Sequence, residues 1–106
     1  NEKFMSLTPE QYHQMQTIAE KILSGLEEAV ESGEDPAGKT GQRLAALHKK
    51  WLTFTWPQYS KEAHCGLGQM YLEDERFTAY YDNNVKGCAR FLRDAIIAFT
   101  GIQPAV

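Results

Sequence analysis

An all-α domain of about five helices is what this sequence predicts. Apolar residues recur at three- and four-residue spacing in every long segment. Capping residues stand where each such segment begins. No stretch alternates apolar and polar residues as a half-buried strand would, and there is no internal repeat or low-complexity tract.

The first helix opens at Thr8-Pro9-Glu10-Gln11: a cap hydroxyl, a proline at the first helical position and a glutamine at the third. Met15, Ile18, Ile22, Leu26 and Ala29 or Val30 form its apolar stripe. Glu20, Lys21, Glu27, Glu28 and Glu31 face water, and Ser32-Gly33 stops the helix. A second helix starts near Asp35-Pro36 or at Lys39 and carries Leu44, Leu47, Trp51 and Leu52 on one side. It must end by Trp56-Pro57, because the residue before proline is disfavoured in helix.

Ser60 caps a third helix with Ala63, Leu67, Met70 and Tyr71 at helical spacing. Gly66 and Gly68 in its interior each cost about 1 kcal/mol relative to alanine, which predicts either a close approach by another backbone or ligand, or a local break. Asp74 caps a short fourth helix, Glu75 to about Tyr81. The last runs from about Asn84 to Thr100, with Val85, Cys88 or Ala89, Leu92, Ile96 and Phe99 inward, and Gly101 ends it.

One domain spanning residues 1–106 is expected from the length, packed as a compact bundle of crossed helices. The hydrophobic share of 42% excludes disorder, and a net charge of -3 argues against a nucleic-acid-binding face in this segment. No apolar run approaches a membrane span, no leader peptide is expected from the opening residues, and two cysteines fit free thiols in a reducing compartment. A cytoplasmic location is the expectation.

Residues 48 to 81 carry both tryptophans, four of the five tyrosines, one of the two cysteines and two of the three histidines. Eight aromatics crowd this region: Trp51, Phe54, Trp56, Tyr59, Tyr71, Phe77, Tyr80 and Tyr81. A core this small does not comfortably bury them all, so the surplus predicts a pocket for an apolar or amphipathic small molecule, or an interface.

Cys65 has two readings. Its place on the first turns of a capped helix, with Lys61 and His64 near in sequence and glycines around it, favours an accessible thiol of lowered pKa. The alternative is a buried structural thiol, the assignment that also suits Cys88 on its apolar stripe. His64 is a ligand contact or a base beside Cys65, or else a surface or capping histidine. A Cys–His hydrolase lacks an orienting group and an oxyanion hole. His48, His64, Cys65 and Cys88 lack the spacing of a zinc site. A haem protein would need an isolated histidine on a deep apolar pocket. The expectation is therefore a binding domain, with no enzymatic activity, metal or cofactor.

From about Leu44 to Phe99 the chain resembles the TipAS antibiotic-recognition domain, the effector-binding part of TipA- and Mta-like regulators of the MerR family. The residues that carry the resemblance are His48 and Trp51, Ser60-Lys-Glu-Ala-His64, Gly66-Leu-Gly-Gln-Met-Tyr71, Asp74-Glu-Arg-Phe-Thr78, Tyr80-Tyr81-Asp82, Gly87 and Phe91-Leu-Arg-Asp-Ala-Ile96. The Leu7-Thr8-Pro9-Glu10 entry also fits.

The resemblance implies a globin-like all-α fold that binds varied antibiotics, notably thiopeptides, in a cleft between helices. It implies ligand contacts from Trp51, His64, Cys65, Met70, Tyr71, Phe77 and Tyr80. It also implies covalent attachment at Cys65, whose thiolate would add to a dehydroalanine alkene of the drug. Members of the wider family without such a cysteine bind reversibly. The DNA-binding domain and the coiled coil of a full, homodimeric regulator have no counterpart in these residues, which show neither a basic recognition helix nor sustained heptads. DNA contact is thus expected only through a fused N-terminal domain. The other expectation is a stand-alone protein that sequesters drug.

Overall fold

The computed structural model describes residues 7–103, and among them it is all-α. Helix α1 spans Pro9–Glu31, α2 Lys39–Leu52, α3 Lys61–Glu73, α4 Glu75–Tyr81 and α5 Cys88–Thr100. No helix among these residues is long and apolar enough to cross a membrane.

The entry to α1 is the expected capping box. Thr8 Oγ1 accepts from the Gln11 amide at 3.1 Å, and Gln11 Oε1 accepts from the Thr8 amide at 2.9 Å. Ile18, Ile22, Leu26 and Ala29 of the stripe are buried, and Gly33 leaves the helix in the left-handed region, φ 68°. Of the two starts expected for α2, Lys39 is the observed one. The preceding turn is held by Asp35, whose carboxylate accepts from the Ala37 amide at 2.9 Å. Gly41 lies directly against the Pro36 carbonyl, a contact no β-carbon could share. Gln42 Nε2 then donates to the carbonyls of Pro36 and of Ala95 in α5, at 3.1 and 3.2 Å.

Helix α3 begins as expected, with Ser60 Oγ accepting from the Ala63 amide at 3.0 Å. Its orientation differs from the sequence reading. His64, Cys65, Gly68 and Tyr71 face inward, whereas Ala63 is exposed and Leu67 and Met70 are only partly buried. The cause is α5, which packs along the glycine side of α3. A β-carbon on Gly68 would stand 3.1 Å from Ile96 Cδ1 and 3.5 Å from Arg93 Cα. A β-carbon on Gly66 would meet nothing within 4 Å, so no other backbone packs against that glycine.

Asp74 both ends α3 and caps α4. The start of α5 is later than expected, at Cys88. Gly87 turns through φ 99°, and the first amides are capped by Asp82 at the end of α4. The Asp82 carboxylate accepts from the amides of Gly87 and Ala89 at 3.2 and 2.9 Å. Helix α5 touches all four other helices and buries Cys88, Ala89, Phe91, Leu92, Ala95, Ile96 and Thr100. It is the hydrophobic axis of the domain.

Candidate functional site

Four helices leave a cleft of about 430 Å³ between them. Ala19 and Ile22 of α1 form one side, His48 and Trp51 of α2 another, and Tyr71 of α3 the floor. Arg76, Phe77, Tyr80 and Tyr81 of α4 close the remaining side. The lining is apolar except for a few polar atoms, the composition suited to a small hydrophobic molecule. Phe77 and Tyr80 keep 36% and 52% of their surface exposed, so α4 holds large aromatic area at the cleft in contact with water.

Helix propensity alone would not hold a seven-residue α4. Asp74 accepts from the Arg76 amide at 3.0 Å and pairs with the Arg76 guanidinium at 2.8 Å. Those bonds hold the Asp74 carboxyl below the ordinary carboxylate range. Thr78 Oγ1 donates to the Tyr71 carbonyl, which ties the middle of α4 back to α3.

Behind the aromatic floor lies a buried hydrogen-bonded chain. Tyr59 hydroxyl meets His64 Nδ1 at 2.7 Å, His64 Nε2 meets His48 Nδ1 at 2.8 Å, and His48 Nε2 meets Tyr71 hydroxyl at 3.1 Å. Both imidazoles are wholly buried and stack on each other with centroids 5.0 Å apart. Burial, together with the neighbouring His64, lowers the His48 pKa to about 3. Burial and the Lys49 ammonium lower His64 to about 4. Both rings are neutral at pH 7, each with one N–H and one bare nitrogen, and both nitrogens of each ring are engaged. Neither ring therefore has a nitrogen to offer a metal or haem iron. Among the described residues no three His, Cys, Asp or Glu side chains come together as a metal site requires.

The structure thus unites Trp51, Tyr71, Phe77 and Tyr80 around one cleft. His64 lies a layer behind it, neither a surface nor a capping residue, and Met70 packs against the core. Of the two readings of Cys65, the structure has the buried thiol. It is 3% exposed, its thiol donates to the Ile102 carbonyl at 3.4 Å, and it lies outside the cleft lining. Burial raises its pKa, outweighing the opposing effect of the Arg93 charge. The helix start and Lys61 do not produce a lowered pKa, because the thiol points into the α3–α5 side of the domain. Cys88 is wholly buried, with its pKa raised to about 11 by burial and by Asp82, Glu27 and Glu31. Both cysteines are free thiols.

Ala19, Ile22, His48, Arg76 and Tyr81 also line the cleft, although they were absent from the expected ligand contacts. Ile22 reads as ordinary core from its stripe. His48 and Tyr81 carried a signal, standing one turn before Trp51 and directly after Tyr80.

Comparison with known proteins fits this geometry. The profile of the TipAS antibiotic-recognition domain matches residues 1–99. The chain belongs to the TipAS family. Two relatives share 31% identity with this TipAS domain over 97 residues, covering 92% of it: the HTH-type transcriptional activators TipA of Streptomyces coelicolor and of Streptomyces lividans. The chain spans 38% of the length of each. No solved structure matches this TipAS domain.

Proposed function

We propose that the domain binds a hydrophobic antibiotic of the thiopeptide type in the cleft between α1, α2, α3 and α4, and serves as the ligand sensor of a drug-responsive MerR-type transcriptional regulator. The observation that carries this reading is the exposed Phe77–Tyr80 face of α4 opposite Trp51 across an apolar cleft. Aromatic walls give large contact area at low rotamer cost, and the few polar atoms of the lining fix orientation. The role is binding and not turnover, since the histidine pair behind the cleft is neutral and has every ring nitrogen engaged. DNA would be contacted through a separate domain of a longer, dimeric protein, in keeping with the helix-turn-helix activators that the chain resembles.

Recognition in this cleft is reversible and independent of Cys65. Covalent trapping at Cys65 is a second step in this proposal, and it requires the segment at Ile102 to leave the thiol. A free-standing drug-sequestering protein would use the same cleft, and the coding sequence upstream of Asn1 separates the two roles. Tryptophan fluorescence titration with a thiopeptide panel tests the cleft. Saturable change at micromolar drug, weakened in Tyr80→Ala, is expected. A panel that leaves the emission untouched would refute the proposal.

A further inference from the structure

The Tyr59–His64–His48–Tyr71 chain has a property that its burial alone does not require. Each link joins two groups that can either donate or accept, so the whole chain is satisfied with its donors pointing either way. In one arrangement Tyr59 donates to His64 Nδ1, His64 Nε2–H donates to His48 Nδ1, and His48 Nε2–H donates to the Tyr71 oxygen. The Tyr71 proton is then free for the cleft. In the other, Tyr71 donates to His48 Nε2, His48 Nδ1–H to His64 Nε2, and His64 Nδ1–H to Tyr59. Tyr71 then offers only lone pairs. No buried side-chain N or O among the described residues lacks a partner, so neither direction is imposed by an orphan group nearby.

We propose that this chain is a reversible relay that lets one apolar cleft accept ligands presenting either a hydrogen-bond donor or an acceptor to its Tyr71–Tyr81 floor. The inference rests on the cleft being the binding site. Reversal shifts one proton along each link: Tyr59 to His64 Nδ1, His64 Nε2 to His48 Nδ1, and His48 Nε2 to Tyr71. One proton enters from water at the half-buried Tyr59, and one leaves Tyr71 to water in the cleft, so net charge is unchanged. Two neutral rings are required, because an imidazolium would present a donor on both sides and break the sequence of bonds. The depressed histidine pKa values supply that neutrality. A fixed donor or a fixed acceptor at the floor would penalise a ligand presenting the mismatched group by leaving a buried group unpaired, whereas a reversible one penalises neither.

Tyr59 is then a positioning residue. It is not among the residues lining the cleft, yet it anchors the far end of the chain. Tyr59→Phe leaves His64 Nδ1 without a partner. A bare nitrogen is tolerated there better than an orphaned N–H, as buried structure generally shows. The variant therefore favours the direction in which Tyr71 donates toward the cleft.

The test uses indole, which offers only an N–H donor, and quinoline, which offers only an acceptor nitrogen. Binding and the ring nitrogens of His48 and His64 are followed by nitrogen-15 NMR. In the unmodified domain quinoline should draw both rings to the Nε2–H tautomer and indole should draw both to Nδ1–H. Tyr59→Phe should weaken indole roughly five- to tenfold while leaving quinoline nearly unchanged. Equal losses for both probes, or tautomers that ignore which probe is bound, overturn the relay. If neither probe perturbs the cleft residues, the cleft reading itself fails. The relay is then decided without ligand: a shift of both rings to Nε2–H in Tyr59→Phe supports it, and tautomers identical to the unmodified domain refute it.

Discussion

Trp51 stacks on His48, with ring centroids 5.6 Å apart and planes inclined by 24°. The indole that faces the cleft is thereby laid on the buried imidazole pair. Trp56 packs instead on Tyr59, at 6.3 Å, and does not line the cleft.

The two tryptophans should therefore report different things. Trp51→Phe is expected to abolish the fluorescence response to a cleft ligand, and Trp56→Phe to keep it. The comparison fails if the response follows Trp56.

Phe77 and Tyr80 should matter for binding and little for folding. Each is exposed and lies at the cleft, so Phe77→Ala or Tyr80→Ala should cost about 1–3 kcal/mol of ligand affinity through lost apolar contact. Their stability should change by no more than about 0.5 kcal/mol, as for surface positions generally. Calorimetric titration and urea unfolding on the same samples check both halves. A variant that unfolds early while binding normally reverses the assignment.

The histidine pair should make the domain acid-sensitive. Both histidines are depressed in the fold, to about 3 and about 4, against an unfolded value of 6.5. Below about pH 6.5 the unfolded chain binds protons that the folded one refuses. Stability is thus complete above that pH and falls through the window down to about pH 3–4. The slope approaches about 3 kcal/mol per pH unit for two histidines. His64→Gln should roughly halve it. Urea midpoints at pH 7 and pH 5 measure the effect, and equal midpoints would dismiss it.

The elements were legible in the sequence because their signals are local. Thr8 with Gln11, Ser60, Asp74 and Gly101 each mark a boundary within a turn of where it falls. The aromatic surplus likewise pointed to Trp51, Tyr71, Phe77 and Tyr80. What eluded the sequence depends on helix rotation and distant partners. Gly68 turns the small side of α3 onto α5, which carries Cys65 inward and brings His64 onto His48, 16 residues away. The late start of α5 depends on Asp82 reaching forward to the amides of Gly87 and Ala89.

The thiols should be slow. Native Cys65 and Cys88 are expected to react with a disulfide reagent at pH 8 far more slowly than in urea, because both are buried and both are raised in pKa. Cys65 should lead, being slightly exposed and free of the carboxylates that surround Cys88. Timed mass spectrometry of the labelled peptides gives the order, and a Cys65 that reacts at the unfolded rate contradicts the burial described here.

Two glycines in helices should respond in opposite directions to alanine. Gly66→Ala adds a β-carbon in open space and should stabilise the domain by about 0.5–1 kcal/mol. Gly41→Ala drives a β-carbon into the Pro36 carbonyl and should cost about 1–3 kcal/mol or more as the α1–α2 connection shifts. Thermal unfolding of the pair distinguishes them, and a shared sign would mean the packing at one is misassigned.

Helix α4 is fastened at both ends by aspartates, Asp74 at its entry and Asp82 at its exit, and neither bond involves Phe77 or Tyr80. Phe77 and Tyr80 thus stand on a frame whose attachment does not depend on them. Those two side chains can be exchanged without touching the bonds that hold α4 in place. A lineage meeting a new drug can exchange these side chains one at a time, widening or narrowing the cleft, while the scaffold that must fold in every generation is left alone.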